Sequence, residues 1–124
     1  GSRMSLERWT LPAGGTRVDR AVLDATGQEF PRIDERRTGQ PHRYIYTMAT
    51  GETPSAPDTR LFKHDLDTGT RAIHDFGPGR HPGEFVFVPR DENGAEDAGW
   101  LLGLVLDVHA DTSELVVLDA ADFS

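Results

Sequence analysis

The stretch Trp100-Leu101-Leu102-Gly103-Leu104-Val105-Leu106 places the tightest limit on how this chain folds. Successive side chains of a strand point to opposite faces, and here both sets are apolar. That pattern describes a central strand covered on both sides. Leu115-Val116-Val117-Leu118 reads the same way. Further strand patterns cover residues 6–11, 16–23, 43–48, 60–66, 70–76 and 84–88. A turn at Asp67-Thr68-Gly69 joins 60–66 to 70–76 as a hairpin. Loops are expected over 38–42, 51–59 and 91–98. An amphipathic helix with caps is missing from the pattern. Residues 29–37 hold at most one helical turn, because Pro31 and Gly39 confine it. Short strands separated by turns every eight to twelve residues or so suit a sandwich, a barrel or the blades of a propeller. The fold class read from these patterns is all-β with antiparallel sheets.

A formal net charge of −8 argues against a nucleic-acid or anionic-membrane surface, which needs clustered Lys and Arg. Without cysteine there is neither a disulfide nor a thiolate metal site. No apolar run approaches the roughly 18 to 20 residues of a spanning helix. A soluble, cytoplasmic protein is the expectation. Residues 1–4 read as a tag or start segment, since Gly1-Ser2 resembles the scar of a cleaved tag. The last residues, Asp122-Phe123-Ser124, follow an apolar strand closely, so residues 5–124 read as a piece of a larger unit.

The five histidines are the obvious metal candidates. If the hairpin pairs symmetrically about Thr68, His64 and His74 share the face of Phe62, Leu66 and Phe76, in diagonal positions. His42 and His81 lie in proline-containing turns and His109 ends a strand. Structural or surface roles are expected for all five, with no metal site made wholly within the chain. Asp65-Leu66-Asp67-Thr68-Gly69 lacks the twelfth-position glutamate of a calcium loop and reads as a turn. Gly77-Pro78-Gly79-Arg80 precedes a strand rather than a helix, so it reads as a tight corner and not a phosphate loop. The acidic residues Asp91, Glu92, Glu96 and Asp97 read as a solvated loop.

Two carboxylates stand out. Glu84 follows the Gly- and Pro-punctuated run Phe76-Gly77-Pro78-Gly79-Arg80-His81-Pro82-Gly83 and heads an apolar strand. Such a turn presents a side chain in a defined direction. Glu29 lies in Gln28-Glu29-Phe30-Pro31-Arg32-Ile33-Asp34, again beside an aromatic and a proline. On residue chemistry alone, the plain reading of each is a surface or ion-paired glutamate.

Together these segments resemble the carotenoid cleavage oxygenases, the family of the retinal-pigment-epithelium isomerase and the bacterial lignostilbene dioxygenases. The resemblance starts at Leu6-Glu7-Arg8-Trp9-Thr10 and runs through Glu29-Phe30-Pro31-Arg32-Ile33-Asp34, Arg43-Tyr44-Ile45-Tyr46 and Lys63-His64-Asp65-Leu66-Asp67-Thr68-Gly69. It continues through the run from Phe76 to Glu84, Phe87-Val88-Pro89-Arg90, Glu96-Asp97-Ala98-Gly99-Trp100-Leu101-Leu102 and Ser113-Glu114-Leu115-Val116-Val117-Leu118-Asp119-Ala120. Phe85 stands where the family usually has proline, and Ala98 where it usually has aspartate.

The resemblance implies a seven-bladed β-propeller, of which residues 5–124 are a C-terminal fragment of about two blades. It implies a non-haem Fe(II) dioxygenase that cleaves a conjugated carbon–carbon double bond of a carotenoid, apocarotenoid or stilbene. The iron of the family is held by four histidines, three upstream of the matched region and one after it. None of this chain's histidines matches a ligand position, so no catalytic or metal-binding residue is assigned within it. Glu29 and Glu84 match positions whose carboxylates support iron-bound histidines. The isolated chain is expected to be inactive and not to bind Fe(II) tightly. Its expected partners are the remainder of the propeller, an apolar conjugated substrate, O2, and other copies through open strand edges. The alternative is a non-catalytic β module for binding or assembly, derived from such a propeller.

Overall fold

The computed structural model describes residues 4–51 and 57–124. The start residues 1–3 and most of the 51–59 loop lie outside the described residues. Met4, assigned above to the start segment, is described, and its carbonyl accepts from Gln28 N–H at 2.9 Å.

The described strands are β1 (Leu6–Thr10), β2 (Asp19–Asp24), β3 (Gln28–Arg32), β4 (Tyr44–Ala49), β5 (Arg60–Asp65), β6 (Thr70–Asp75), β7 (Arg80–Pro89), β8 (Gly99–Asp107) and β9 (Thr112–Asp119). They form three antiparallel sheets in sequence order, β1-β2, β3-β4-β5-β6 and β7-β8-β9. A meander of this kind needs only short connections, which the Gly, Pro and Asp turns supply. A single 3₁₀ turn, Glu35–Arg37, accounts for the helical potential read in residues 29–37. No described helix is long and apolar enough to cross a membrane.

β3 replaces much of that expected turn. Its alternation is hidden because a β-bulge lies between Glu29 and Arg32, where three residue steps oppose two from Met48 to Tyr46. Phe30 in the bulge has φ of +52°, a conformation bulky residues seldom adopt. Pro31 is tolerated because β3 is an edge strand.

The main core lies between the second and third sheets. Tyr46 and Leu61 meet Phe76, Phe85, Phe87, Leu101, Val105, Leu118, Ala120 and Phe123 there. Tyr46 stacks on Phe87 with centroids 5.8 Å apart and planes within 8°. Gly103 is required beneath Phe85, since a Cβ at that position would lie 2.4 Å from the ring. Phe85, the departure from the family's proline, thus fills space that a glycine on the neighbouring strand leaves open.

The hairpin β5–β6 forms as expected, but its register differs. His64 pairs with Arg71 and Leu61 with His74, so pairing is centred between Asp67 and Thr68 rather than on Thr68. A one-residue slip moves a side chain to the other face. His64 and His74 therefore lie on opposite faces of the sheet. The cause is a four-residue connection, closed by Gly69 N–H donating to the Asp65 carbonyl at 2.9 Å with Gly69 at φ of +69°.

The expectation of two covered faces for the Trp100–Leu106 run is met on one side only. β8 is the central strand of its sheet, and Leu101 and Val105 are fully buried. Leu104 and Leu106 on its other face remain exposed, as do Leu115 and Val117 on β9.

Candidate functional site

Glu29 and Glu84 sit on the first strands of adjacent sheets, and those strands, β3 and β7, are in contact. Each glutamate lies at a bulge. In β7 three steps from Pro82 to Phe85 oppose two from Val105 to Gly103, so Gly83-Glu84 carries the extra residue. A bulge re-aims side chains that regular alternation would direct elsewhere. Both predicted site residues thus occupy positions where the backbone departs from the pleat.

Their surroundings differ. Glu29 is half-buried and lines a cavity of about 300 Å³ with Met48, Pro57, and His81 and Pro82 of β7. Glu84 is exposed and pairs through Oε1 with the Arg32 guanidinium, which also lies 3.7 Å from Glu35. Arg32 closes the β3 bulge, so this ion pair ties one bulge to the other. Arg32 was passed over in the sequence reading. Its place three residues after Glu29 in one motif was the available signal.

The histidines are dispersed. His64 is buried, and its Nε2–H donates to Gln28 Oε1 at 2.6 Å, with Thr47 Oγ1 3.1 Å away. Burial pushes its imidazole below the usual histidine range, partly offset by the Asp24 carboxylate at 3.9 Å. His74 Nδ1 lies 3.2 Å from the Phe123 carbonyl and packs edge-on against Phe76. His81 Nδ1 lies 3.2 Å from the Asp58 carbonyl, and His109 lies beside Gly79. Among the described residues no three His, Asp or Glu side chains come together to hold a metal ion.

The loop between β7 and β8 is solvated as expected at Asp91 and Glu92, which are exposed, but not at Glu96 and Asp97. Glu96 is buried and accepts from the backbone N–H groups of Arg43 and Tyr44 at 2.8 to 3.1 Å. Asp97 accepts from Lys63 Nζ at 2.9 Å, and Lys63, only 7% exposed, also donates to the Ala120 and Ala121 carbonyls. Arg36 donates to the Asp91 and Glu92 carbonyls and holds the buried Asp34 carboxylate at 2.7 Å. Asp91, Glu92, Glu96 and Asp97 are thus each tied to β4, β5 or the connection between β3 and β4. Glu96 and Asp97 looked solvated because charge pattern reports composition, not which backbone donors lie within reach. A second cavity, of about 490 Å³ and open to solvent, lies beside them between His42, Arg43, Tyr44 and Asp97.

Comparison with known proteins identifies the family. The family model of the retinal pigment epithelial membrane protein matches residues 1–124. The chain is 38% identical over 120 residues to apocarotenoid-15,15'-oxygenase of a Synechocystis strain, covering 96% of this chain and 24% of that protein. It is 38% identical over 124 residues to a carotenoid cleavage oxygenase of Mycobacterium tuberculosis, covering 96% of this chain and 25% of that one. The crystal structure of cobalt-substituted Synechocystis ACO superposes with a TM-score of 0.85 at 35% identity, again over 96% of this chain and 25% of that one. The chain therefore spans about a quarter of the length of these relatives. It belongs to the carotenoid-oxygenase family, and its sheets are a portion of that family's β-propeller.

Proposed function

We propose that this member of the carotenoid-oxygenase family is a C-terminal portion, residues 5–124, of a non-haem Fe(II) dioxygenase. The intact protein would cleave a conjugated double bond of a carotenoid, apocarotenoid or stilbene with O2, in the cytoplasm. The reading is supported by relatives named as carotenoid and apocarotenoid oxygenases and by a neighbour whose metal has been replaced by cobalt. The single observation that carries it for this chain is the pairing of two bulged carboxylates on neighbouring first strands.

Bound iron would supply the redox chemistry, and its ligands would come from outside these residues. The chain's own part is to hold Glu29 and Glu84 where each can accept the free N–H of a metal-bound imidazole. A carboxylate in that position fixes the ring's tautomer and angle and balances the charge of a metal held by neutral ligands. Glu84 is exposed and its carboxylate pairs with Arg32, so Arg32 would hold it in place as it accepts from the ring. The partners required are the remainder of the propeller and an apolar conjugated substrate. Copies of the open chain also present unpaired strand edges to one another.

The test is made in the intact protein. Glu29→Gln and Glu84→Gln should each lower iron affinity or turnover by about 10- to 100-fold. Unchanged iron content and turnover in both variants would defeat the assignment. The 124-residue chain alone should retain no stoichiometric iron after dialysis and should not turn over an apocarotenoid or stilbene.

A further inference from the structure

β3 is fastened to its sheet by one polar side chain. Gln28 is only 3% exposed, the most deeply buried residue of the strand, and it shares a face of the sheet with Thr47 of β4 and His64 of β5, both buried. Its Oε1 accepts from His64 Nε2–H at 2.6 Å and from Thr47 Oγ1–H at 2.7 Å. Its amide Nε2 donates to the Thr26 carbonyl at 3.0 Å. The rest of β3 is poorly suited to fix its alignment. Glu29 is charged, Phe30 has φ of +52°, Pro31 has no backbone donor, and a bulge separates Glu29 from Arg32. Whatever covers Phe30 in the longer protein, the hold on Gln28 is closed by β4 and β5 of this chain.

We infer that Gln28, held by His64 and Thr47, is a positioning residue for Glu29 and acts by fixing the register of β3 on β4. The ladder sets Gln28 against Ala49 and Glu29 against Met48. Alternation then turns Glu29 away from the buried histidine, toward the third sheet, and the bulge returns Arg32 to that same side opposite Tyr46. A slip of one residue would exchange the two faces. It would carry the Glu29 carboxylate in among His64, Thr47 and Asp24, whose own carboxylate lies 3.9 Å from the imidazole, and take Arg32 away from Glu84. It would also leave two buried donors, on His64 and Thr47, without their acceptor. An apolar side chain packs in several alignments, whereas these hydrogen bonds close in one, and fixing a register is a recognised use of a buried polar group. The role of Gln28 toward the site rests on the reading of Glu29 as support for a metal-bound imidazole; its hold on the register does not.

Both parts are tested in the intact protein. Register is read without iron and without the Glu29 carboxylate. Glu29→Cys with Met48→Cys places thiols at partner positions, and peptide mapping after mild oxidation should find the 29–48 disulfide. Adding Gln28→Ala should cut its yield by about threefold or more. Gln28→Glu, which keeps an oxygen for His64 and Thr47, should restore it. The site is read by Fe(II) affinity against a competing chelator. Gln28→Ala should weaken it by about tenfold with Glu29 present and by less than about twofold in the Glu29→Gln background, because a residue acting through Glu29 adds nothing once that carboxylate is gone. If Gln28→Ala does not fold, Thr47→Val, which removes one of the two donors, should show both effects at smaller size. A disulfide yield unchanged by these substitutions overturns the inference. So does an equal loss of iron affinity in both backgrounds, which would make Gln28 a support of the fold alone. Glu29→Gln without effect on iron affinity would defeat the reading of Glu29, and with it the role of Gln28 there, while the disulfide still decides the register.

Discussion

Two sets of carboxylates lie along the seam between the second and third sheets, and they are used in opposite ways. Glu96 and Asp34 are buried, and their oxygens are taken up by donors of this chain: the Arg43 and Tyr44 backbone for Glu96, the Arg36 side chain and backbone for Asp34. Glu29 and Glu84 lie at bulges on the first strands of their sheets. Glu84 is exposed and paired with Arg32, and Glu29 lines a cavity. A buried carboxylate must be matched by donors or it destabilises the fold. A carboxylate left with free acceptor capacity at a re-aimed position is available to a group from outside. The first pair ties the sheets together, and the second carries the role proposed above.

Removing a member of the first set should have the largest effect. Glu96→Ala leaves two partly buried backbone N–H groups without their acceptor and should destabilise the chain by about 2 kcal/mol, read from urea unfolding. A cost below about 1 kcal/mol would erase the distinction drawn above. Lys63→Met should cost about as much, because it strands Asp97 and two carbonyls while keeping the packed stem.

Acid should weaken the fold in stages. Burial holds His64 below the usual imidazole value, so the folded state resists protonation while the unfolded chain accepts it. Its contribution is complete above about 6.5 and is lost as pH falls from there toward the folded value. Asp34 and Asp58 are lowered by hydrogen bonds from Arg36 and Arg60, so their contributions are present above about 4 and are lost as pH falls through the folded values. Melting temperature against pH should therefore decline in two steps. His64→Asn should remove the upper step, and a single step below about 4 in the parent chain would contradict this account.

How much of this could be read from the sequence depended on how local the cause was. Alternation and turn residues located all the strands except β3, because those signals are set by neighbours in the chain. β3 escaped because Phe30 and Pro31 break the alternation at the bulge. The His64–His74 relation failed on a single turn residue, since a register is decided by whether the connection is odd or even. Glu29 and Glu84 were singled out through their motifs, whereas Arg32 and Glu96 were not. Their roles arise from the approach of two sheets, which no local pattern encodes.

The smallest effect predicted is also the sharpest probe of the contrast. In the 124-residue chain, Glu29→Gln and Glu84→Gln should each change stability by less than about 0.5 kcal/mol, the usual range for groups not locked into a buried network. For Glu84 the loss of the Arg32 pair is cushioned by solvent, as exposed ion pairs generally are. A double-mutant cycle with Arg32→Gln should give a coupling of about 0.5 kcal/mol or less that fades with added salt. A coupling above about 2 kcal/mol would mean that Glu84 is committed to bracing the sheets, as Glu96 is, with little freedom left to serve a histidine.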